Sequence, residues 1–433
     1  MIGRIKNREE RVMNNDRTID TKHIDVLDGI RAISVIIVLI FHFWQQTWIF
    51  PIIQTPWLSF LGITQIDFSN YAMEGYLFVD MMVLISGFLL FLPVARHVLL
   101  GESMDSWKVY ARKRVSRIIP SYYFCVIALF IYSLALGRYS TTADAVLDLI
   151  THLTFTQTLF AKTYFSTNLN VVLWTLSIEV WFYILFPFIA GFIKHGSGGR
   201  NGTRNSLIKV AAASVIMYAL FIIYKDAFVY REGAYLSILI NQFPAFLAVY
   251  ANGMIAAFVF VGIAKEQKRT PLIEYISLFL AVISLFTMNK LISGCAALSS
   301  ADAQIWQVKY RFTLTLCFSM IIITLGLSPK WVRWIFSNRF MRFLSGISYN
   351  LYIWHQWLCV ELKQQWRIPA WTGDTPPNQL GDKAWMNKYA LIITVAAFAA
   401  AILATYLIEK PCSNLIMGKP AFRKRSSKTM KAE

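Results

Sequence analysis

The sequence predicts an all-α protein that crosses a membrane ten times and keeps both termini in the cytoplasm. Of its 433 residues, 56% are hydrophobic and only 15% are charged, and its mean hydropathy is +0.49. A soluble protein of this length would have about a quarter of its residues charged. The net charge of +18 does not indicate nucleic-acid binding, because the basic residues recur between apolar runs and form no single stripe.

Ten apolar runs are close to the ~20 residues that an α-helix needs to cross a bilayer. We place them at about 27–48, 75–95, 118–137, 172–193, 206–224, 238–263, 272–290, 309–327, 345–366 and 388–409. A further run, 145–160, is short and carries several polar residues. We interpret it as a surface or re-entrant helix that does not span.

The distribution of basic residues supports ten spans. With that count, 31 of the 42 lysine and arginine residues fall on the side of the N-terminus and 11 on the opposite side. Because basic loops face the cytoplasm, both termini are expected there, in the plasma membrane. Eleven spans would reverse the asymmetry halfway along the chain. We expect a charged tail over 1–24 without a cleavable signal peptide, a membrane domain over 25–412 and a basic tail over 413–433.

Neither the cysteines nor the histidines form a metal-binding pattern. The five cysteines are not arranged as C-x-x-C, and most lie in apolar runs, as small buried hydrophobic residues do. There is no H-E-x-x-H motif, and no two histidines are four residues apart. We therefore predict no metal site. The absence of a Walker A motif argues against an ATP-driven pump.

The first span carries a line of polar side chains, Asp28, Arg31 and His42. At ~100° and ~1.5 Å per residue, Arg31 and His42 lie only ~20° apart around the helix and ~16 Å apart along it. Asp28 lies on the same face. Ionisable residues inside a membrane span are costly, so they are functional-site candidates by default.

Glu179, in the fourth span, is the predicted partner of His42. Counting from the inner start of the first span places His42 ~21 Å up, and counting from the outer end of the fourth places Glu179 ~10 Å down. In a core of ~30 Å these depths nearly coincide. A carboxylate beside an imidazole would orient a general base. A purely structural buried pair is the alternative.

Two further residues inside the spans, Asp80 and His355, are each open to two interpretations. Asp80 is either a second orienting carboxylate or a helix-end residue that faces water, and Ser86 lies deeper in the same span. His355 is either a hydrogen-bonding partner of a substrate or cofactor, or a core histidine whose hydrogen bonds are satisfied.

Arg114 and Arg117 lie one turn apart at the cytoplasmic mouth of the third span. Arginine is well suited to binding phosphate, because its guanidinium group donates two parallel hydrogen bonds. Basic residues at this position are also common topology signals, so the spacing alone leaves both interpretations open.

Five ordered motifs resemble the membrane acyltransferase-3 family over about residues 25–412. They are D-G-I-R-A-I-S-V-I-I-V-L-I-F-H, F-V-D-M-M-V-L-I-S-G-F-L-L, R-K-R-V-S-R-I-I-P-S-Y-Y, L-W-T-L-S-I-E-V-W-F-Y-I-L-F-P, and I-S-Y-N-L-Y-I-W-H-Q with a terminal I-E-K-P. In the second motif, two methionines replace the usual phenylalanines. No esterase-like domain follows the last span, so the resemblance is to the stand-alone form.

The resemblance implies an acyl-CoA donor, usually acetyl-CoA, and an acceptor hydroxyl on a carbohydrate or a lipid-linked glycan. It strengthens the phosphate-binding interpretation of Arg114 and Arg117, and it implies no tightly bound cofactor. We assign His42, Glu179 and Asp80 to catalysis and Arg31, Arg114 and Arg117 to donor binding, while Asp28, Ser86, Tyr349 and His355 are assigned to substrate binding.

The predicted reaction is O-acyl transfer within the membrane, with His42 removing the proton from the acceptor hydroxyl. Whether His42 instead carries the acyl group transiently stays open at this stage. A transporter is the rival class, although the sequence lacks the internal repeats that transporters often show. N-acylation, succinylation, and acylation of a small glycoside or an antibiotic are alternatives within the enzyme class.

Overall fold

A computed structural model describes residues 19–196, 201–230 and 236–421 of the protein. Of this part of the chain 79% is helical, and its only strands form an antiparallel pair, β1 (Ile52–Gln54) and β2 (Gln65–Asp67). The predicted all-α polytopic class is confirmed. Residues 1–18 of the predicted N-terminal tail and 422–433 of the basic tail lie outside the described residues.

The helices follow each other through mostly short connections. In chain order they are α1 (Val26–Thr47), α2 (Ser69–Met73), α3 (Phe78–Leu100), α4 (Trp107–Ala135), α5 (Thr142–Leu153), α6 (Ala161–Phe165), α7 (Trp174–Lys194), α8 (Gly202–Tyr224), α9 (Leu236–Ile240), α10 (Leu247–Glu266), α11 (Pro271–Ala296), α12 (Ser300–Leu327), α13 (Lys330–Ser337), α14 (Arg339–Gln364), α15 (Lys383–Ala404) and α16 (Lys410–Ile416). Single-turn 3₁₀ or π segments extend several of them, including Gly75–Leu77, Val171–Leu173, Phe243–Phe246 and Thr405–Glu409.

Nine segments of the described chain are long and apolar enough to cross a membrane. They are Val26–Thr47, Gly75–Leu100, Trp107–Ala135, Val171–Lys194, Gly202–Val229, Phe243–Glu266, Pro271–Ala296, Ser300–Leu327 and Lys383–Ile416. The predicted span 345–366 falls within α14, which is long enough but carries polar residues such as Asn350, His355 and Glu361. Ten spans and cytoplasmic termini therefore stay predictions.

The central helices pack closely around α1, and they position the site. Helix α14 packs against both α1 and α15, and α3 packs against α10. At Gly253 in α10, an added Cβ would lie only 2.8 Å from the backbone oxygen of Leu84. The absence of a side chain there lets two helix backbones touch, as small residues commonly do in membrane bundles.

The run 145–160 is not among the nine segments that are long and apolar enough to cross a membrane. It forms the 12-residue helix α5 and a 3₁₀ turn, and the chain is then buried among other helices before α7 begins. The Asp148 carboxylate anchors this segment by accepting hydrogen bonds from the Thr167 hydroxyl at 2.8 Å and the Asn168 backbone nitrogen at 3.0 Å. Further along, the Asn170 side chain donates to the Ile353 carbonyl oxygen at 2.6 Å. Helix α7 therefore starts inside the protein, against the middle of α14.

Candidate active site

Helices α1, α3, α4, α7 and α14 surround an inner cavity of about 70 Å³. The polar side chains that line it come from five different segments of the sequence, and they include six of the ten predicted site residues. These six are Arg31, Ser86, Arg114, Arg117, Glu179 and Tyr349. The fold thus brings together residues that are separated by more than 300 positions in the chain.

The three arginines of this cavity have no hydrogen-bonded counter-ion among the described residues. None of the three makes a salt bridge or a side-chain hydrogen bond to another described residue, and the Nε atom of Arg114 is buried without a partner. By contrast, Arg138 makes hydrogen bonds of 2.6 and 2.8 Å to both carboxylate oxygens of Glu361. Unused guanidinium donors around a cavity make it a candidate anion-binding site.

Glu179 is the one carboxylate on the wall of the inner cavity. Its charge interacts with Arg117, Arg31 and Arg114, and Ser86 lies within hydrogen-bonding reach of its side chain. The Ser86 hydroxyl also lies 3.1 Å from the Tyr183 hydroxyl. One negative charge faces three positive ones, so the cavity keeps an excess positive charge.

His42 lies in a second, outer cavity of about 270 Å³. Amide side chains and aromatic rings make up most of the remaining wall, including Phe41, Tyr76, Trp174, Asn241, Gln304, Gln307, Tyr352 and Gln356. Val79 and Tyr352 line both cavities, so the two are separated by little more than these side chains.

The hydrogen bonds of His42 define which nitrogen can act as a base. Its Nδ1 atom lies 3.0 Å from the Oε1 atom of Gln45, one turn further along α1. An amide oxygen only accepts hydrogen bonds, so Nδ1 carries the proton and Nε2 keeps its lone pair. Gln45 therefore fixes the tautomer that a general base requires.

His355 packs beside His42, with their ring centroids 5.0 Å apart and their planes inclined by 48°. Its Nδ1 atom donates to the carbonyl oxygens of Tyr352, at 2.8 Å, and Leu351, at 3.1 Å. The opposite atom, Nε2, is buried and has no partner among the described residues. His355 thus has one nitrogen committed to its own helix and one free acceptor next to His42.

The predicted pairing of His42 with Glu179 is not observed. No hydrogen bond or ion pair joins them among the described residues, and they line different cavities. The depth estimate assumed that the fourth span starts at the membrane surface. Because Val172 and Leu173 are buried and α7 starts inside the protein, Glu179 lies deeper, near Arg31.

Asp80 matches neither of its two predicted interpretations. Its side chain is fully buried and accepts a hydrogen bond from the Nε atom of Arg311 at 3.0 Å. Arg311 also donates to the Ile240 carbonyl oxygen at 2.8 Å, and its guanidinium lies 4.1 Å from the centre of the Phe246 ring. Asp80 lines neither cavity, so it faces neither water nor His42.

Asp28 and Tyr349 lie near the inner cavity but bind the surrounding helices. Asp28 accepts a hydrogen bond from the Ser345 hydroxyl at 2.9 Å, which joins α1 to α14. The Tyr349 hydroxyl donates to the Ile118 carbonyl oxygen at 3.0 Å, which joins α14 to α4. Both contacts position the helices that carry the arginines.

Sequence reasoning missed three groups of residues at these sites. Gln45 lies one turn after His42 and was detectable from that spacing. Arg311 was detectable as a cation inside an apolar run. The amides of the outer cavity, such as Asn241 and Gln307, gave no signal, because they lie in different helices and in no common motif.

Comparison with known proteins places this arrangement in a family. The acyltransferase-3 family model, described as an acyltransferase domain, matches residues 24–410. The O-acetyltransferase OatA of Staphylococcus aureus is 24% identical over 361 residues, which cover 77% of this chain and 50% of OatA. ORF330 of Acidianus two-tailed virus is 25% identical over 269 residues, which cover 61% of this chain and 70% of ORF330.

The chain spans about half the length of the OatA relatives that it matches. No solved structure matches it. The family match nevertheless covers most of the chain and includes both cavities, with Arg31, His42 and Glu179 inside the matched region. This multi-pass membrane protein therefore belongs to the acyltransferase-3 family.

Proposed function

We propose that the protein transfers an acyl group from acyl-CoA to the hydroxyl group of a carbohydrate. The observation that carries this proposal is the set of three unpaired arginines on the wall of the inner cavity, directly below the cavity that holds His42. Such a set favours an anionic ligand, because guanidinium groups that point into a cavity without a hydrogen-bonded carboxylate attract negative charge. The phosphates of acyl-CoA supply that charge.

The donor would lie along α1, with its phosphates on Arg31, Arg114 and Arg117 and its thioester near His42. The two ends are separated by ~16 Å along the helix axis. This distance has to be covered by the pantetheine arm, passing Val79 and Tyr352. Since the arginines lie on the side that we predict to be cytoplasmic, the donor would enter from the cell interior.

His42 would act as the general base. Its Nε2 atom takes the proton of the acceptor hydroxyl while that oxygen forms a bond to the thioester carbonyl carbon. The tetrahedral intermediate then breaks its carbon–sulfur bond, and the imidazolium returns the proton to the leaving thiolate. Gln45 keeps Nδ1 protonated throughout, which is the role that the sequence analysis assigned to Glu179.

Glu179 takes a different role in this proposal. Surrounded by three arginines, it spaces and orients their guanidinium groups while the donor is absent. A carboxylate in that place also keeps the arginines from repelling one another.

The outer cavity supports a carbohydrate acceptor. Amide groups hydrogen-bond to hydroxyls as donors and as acceptors, and aromatic rings pack on the apolar faces of sugars. Among the titratable groups only His42 and two tyrosines line it, so the reacting part of the acceptor would be uncharged. The name of the OatA relative, an O-acetyltransferase, favours acetyl as the acyl group and oxygen as the acceptor atom. We place the reaction at the cell envelope.

The test is release of free CoA from acetyl-CoA by the purified protein in detergent, with and without candidate glycans. His42→Ala is expected to abolish acceptor-dependent release while the protein remains folded. His23→Ala is the matched control, since His23 lies at the surface outside both cavities and pairs with Asp25. Wild-type turnover in His42→Ala, or no turnover in the wild-type protein with any glycan, would contradict the proposal. A transporter would release no CoA.

A further inference from the structure

A third cavity opens beside the inner one, on the side away from His42. It measures about 130 Å³, and its walls combine aromatic rings with charged groups. They include Trp107, Tyr110, Phe186, Asp105, Lys113 and Arg114. We propose that this cavity, the aromatic cleft, binds the purine ring of the donor nucleotide, an inference that rests on the proposed function.

Two of the three aromatic rings of the cleft face each other at a shallow angle, and the third stands nearly perpendicular to both. Tyr110 and Phe186 lie 5.1 Å apart and are inclined by only 32°. Trp107 stands nearly perpendicular to both, at 88° to Tyr110 and 78° to Phe186. Trp107 is 42% exposed, so one face of its indole ring is available to a ligand. A flat purine that stacks on this face meets the other two rings at its edge.

The charged groups of the cleft match the polar groups of an adenine nucleotide. Asp105 accepts a hydrogen bond from Lys113 at 2.5 Å. Its carboxylate keeps further lone pairs, which can accept from an exocyclic amino group. Lys113 and Lys194 supply positive charge near the rings, with Lys194 lying 5.7 Å from the centre of the Trp107 ring. Both can bind a ribose phosphate as point charges.

The cleft is continuous with the proposed reaction path. Arg114 and Leu89 line both the cleft and the inner cavity. The guanidinium of Arg114 also lies 5.6 Å from the centre of the Tyr110 ring, which lines the cleft, and 5.4 Å from that of Tyr183, whose hydroxyl lies 3.1 Å from the Ser86 hydroxyl of the inner cavity. Arg114 thus joins the two cavities.

The order of the three cavities follows the order of groups in acyl-CoA. The aromatic cleft would hold the purine, Arg114 and the inner cavity the phosphates, and the outer cavity with His42 the thioester. A small anion such as free phosphate would use the arginines and leave the cleft empty. The cleft therefore selects the nucleotide portion of the donor.

The test measures binding of adenosine 3′,5′-bisphosphate to the purified full-length protein by calorimetry. Trp107→Ala is expected to weaken this binding on the order of tenfold, as the loss of one stacked base implies. Trp107→Phe should retain most of the affinity. Binding of 4′-phosphopantetheine, which has no purine, should stay unchanged in both variants. Trp331→Ala is the control for loss of an exposed tryptophan, because Trp331 is also exposed but lies on α13 outside all three cavities.

Equal affinity of the wild-type protein and Trp107→Ala for the bisphosphate would overturn the assignment. If the variants do not fold, photocrosslinking of an azidoadenine analogue to the wild-type protein decides, since the labelled peptide must contain a residue that lines the cleft, within 89–93, 104–114 or at 186. Labelling elsewhere would also overturn it. A KM for acetyl-CoA that is unaffected by Trp107→Ala would overturn the cleft and leave the proposed function intact. Trp107-dependent nucleotide binding without any acyl transfer would refute the function and retain the cleft.

Discussion

Replacing Asp80 by asparagine distinguishes a structural carboxylate from a catalytic one. The Asp80 and Arg311 side chains are both fully buried and lie 3.0 Å apart. Removing the negative charge leaves a buried guanidinium with only the backbone acceptors at Ile240 and Ala245. Breaking one partner of a buried pair costs about 3–5 kcal/mol. We therefore expect Asp80→Asn to lower the free energy of unfolding by that amount.

The magnitude is large enough to measure in detergent. A loss of about 3–5 kcal/mol lowers the folding constant by roughly 10²- to 10³-fold or more. Denaturation of the purified protein in mixed micelles, followed by tryptophan fluorescence, gives the stability, and CoA release per folded molecule gives the activity. The double variant Asp80→Asn/Arg311→Met should recover much of the stability, because it leaves no unpaired charge.

The same experiment can refute this reasoning. If Asp80→Asn kept wild-type stability but lost turnover by about 10²-fold, which is the scale of a general acid–base group, Asp80 would be a catalytic residue. Failure of the double variant to recover any stability would show that Asp80 does not stabilise the protein through its ion pair with Arg311. The expected result is low stability with wild-type turnover of the folded fraction.

Three further predictions concern the cavities. Gln45→Leu should lower acyl transfer by up to about 10²-fold and change the pH–rate profile, because His42 loses the hydrogen bond that fixes its tautomer and orientation. Gln45→Glu keeps an oxygen acceptor for Nδ1 and should therefore keep the rate near that of the wild-type protein. An unchanged pH–rate profile in Gln45→Leu would contradict the role of Gln45. Arg117→Gln should raise the KM for acetyl-CoA about tenfold through loss of a charge-assisted hydrogen bond. The control variant Arg138→Gln should lower thermal stability and leave the KM for acetyl-CoA unchanged. If Arg117→Gln and Arg138→Gln changed this KM equally, the result would count against donor binding by the arginines of the inner cavity. Gln307→Leu should reduce kcat/KM for the carbohydrate without changing the release of CoA in the absence of carbohydrate. If the variant lost both activities, Gln307 would instead contribute to donor binding.

Much of the fold was predictable because it depends on local sequence. Apolar runs of bilayer length specify spanning helices, since backbone groups in lipid must bond within their own segment. The run 145–160 was recognisable as non-spanning from its length and its polar residues. The predicted span 345–366 was harder, because the residues that make α14 polar are the ones that bind the surrounding helices.

The residues of the candidate site were predictable to a lesser degree. Arg31 and His42 lie on one face of α1, so helix geometry alone places them in line. Arg114 and Arg117 were open to two interpretations from their spacing, and the structure adds that both line the inner cavity without a salt bridge to another described residue. Asp80 was misjudged, because its partner Arg311 lies 231 residues away in the chain.

The sequence by itself determined the membrane class, the helices and the periodicity that lines up Arg31 with His42, because each of these depends on residues within a few turns of one another. Only the tertiary structure decided which carboxylate meets which cation. That choice depends on how far each helix is inserted and on where α7 begins, which is set by the contacts of Asn170 and Gln157 with distant helices. The separation of an inner cavity lined by three arginines from an outer cavity lined mostly by amides and aromatic rings follows from these long-range contacts, which no local pattern encodes.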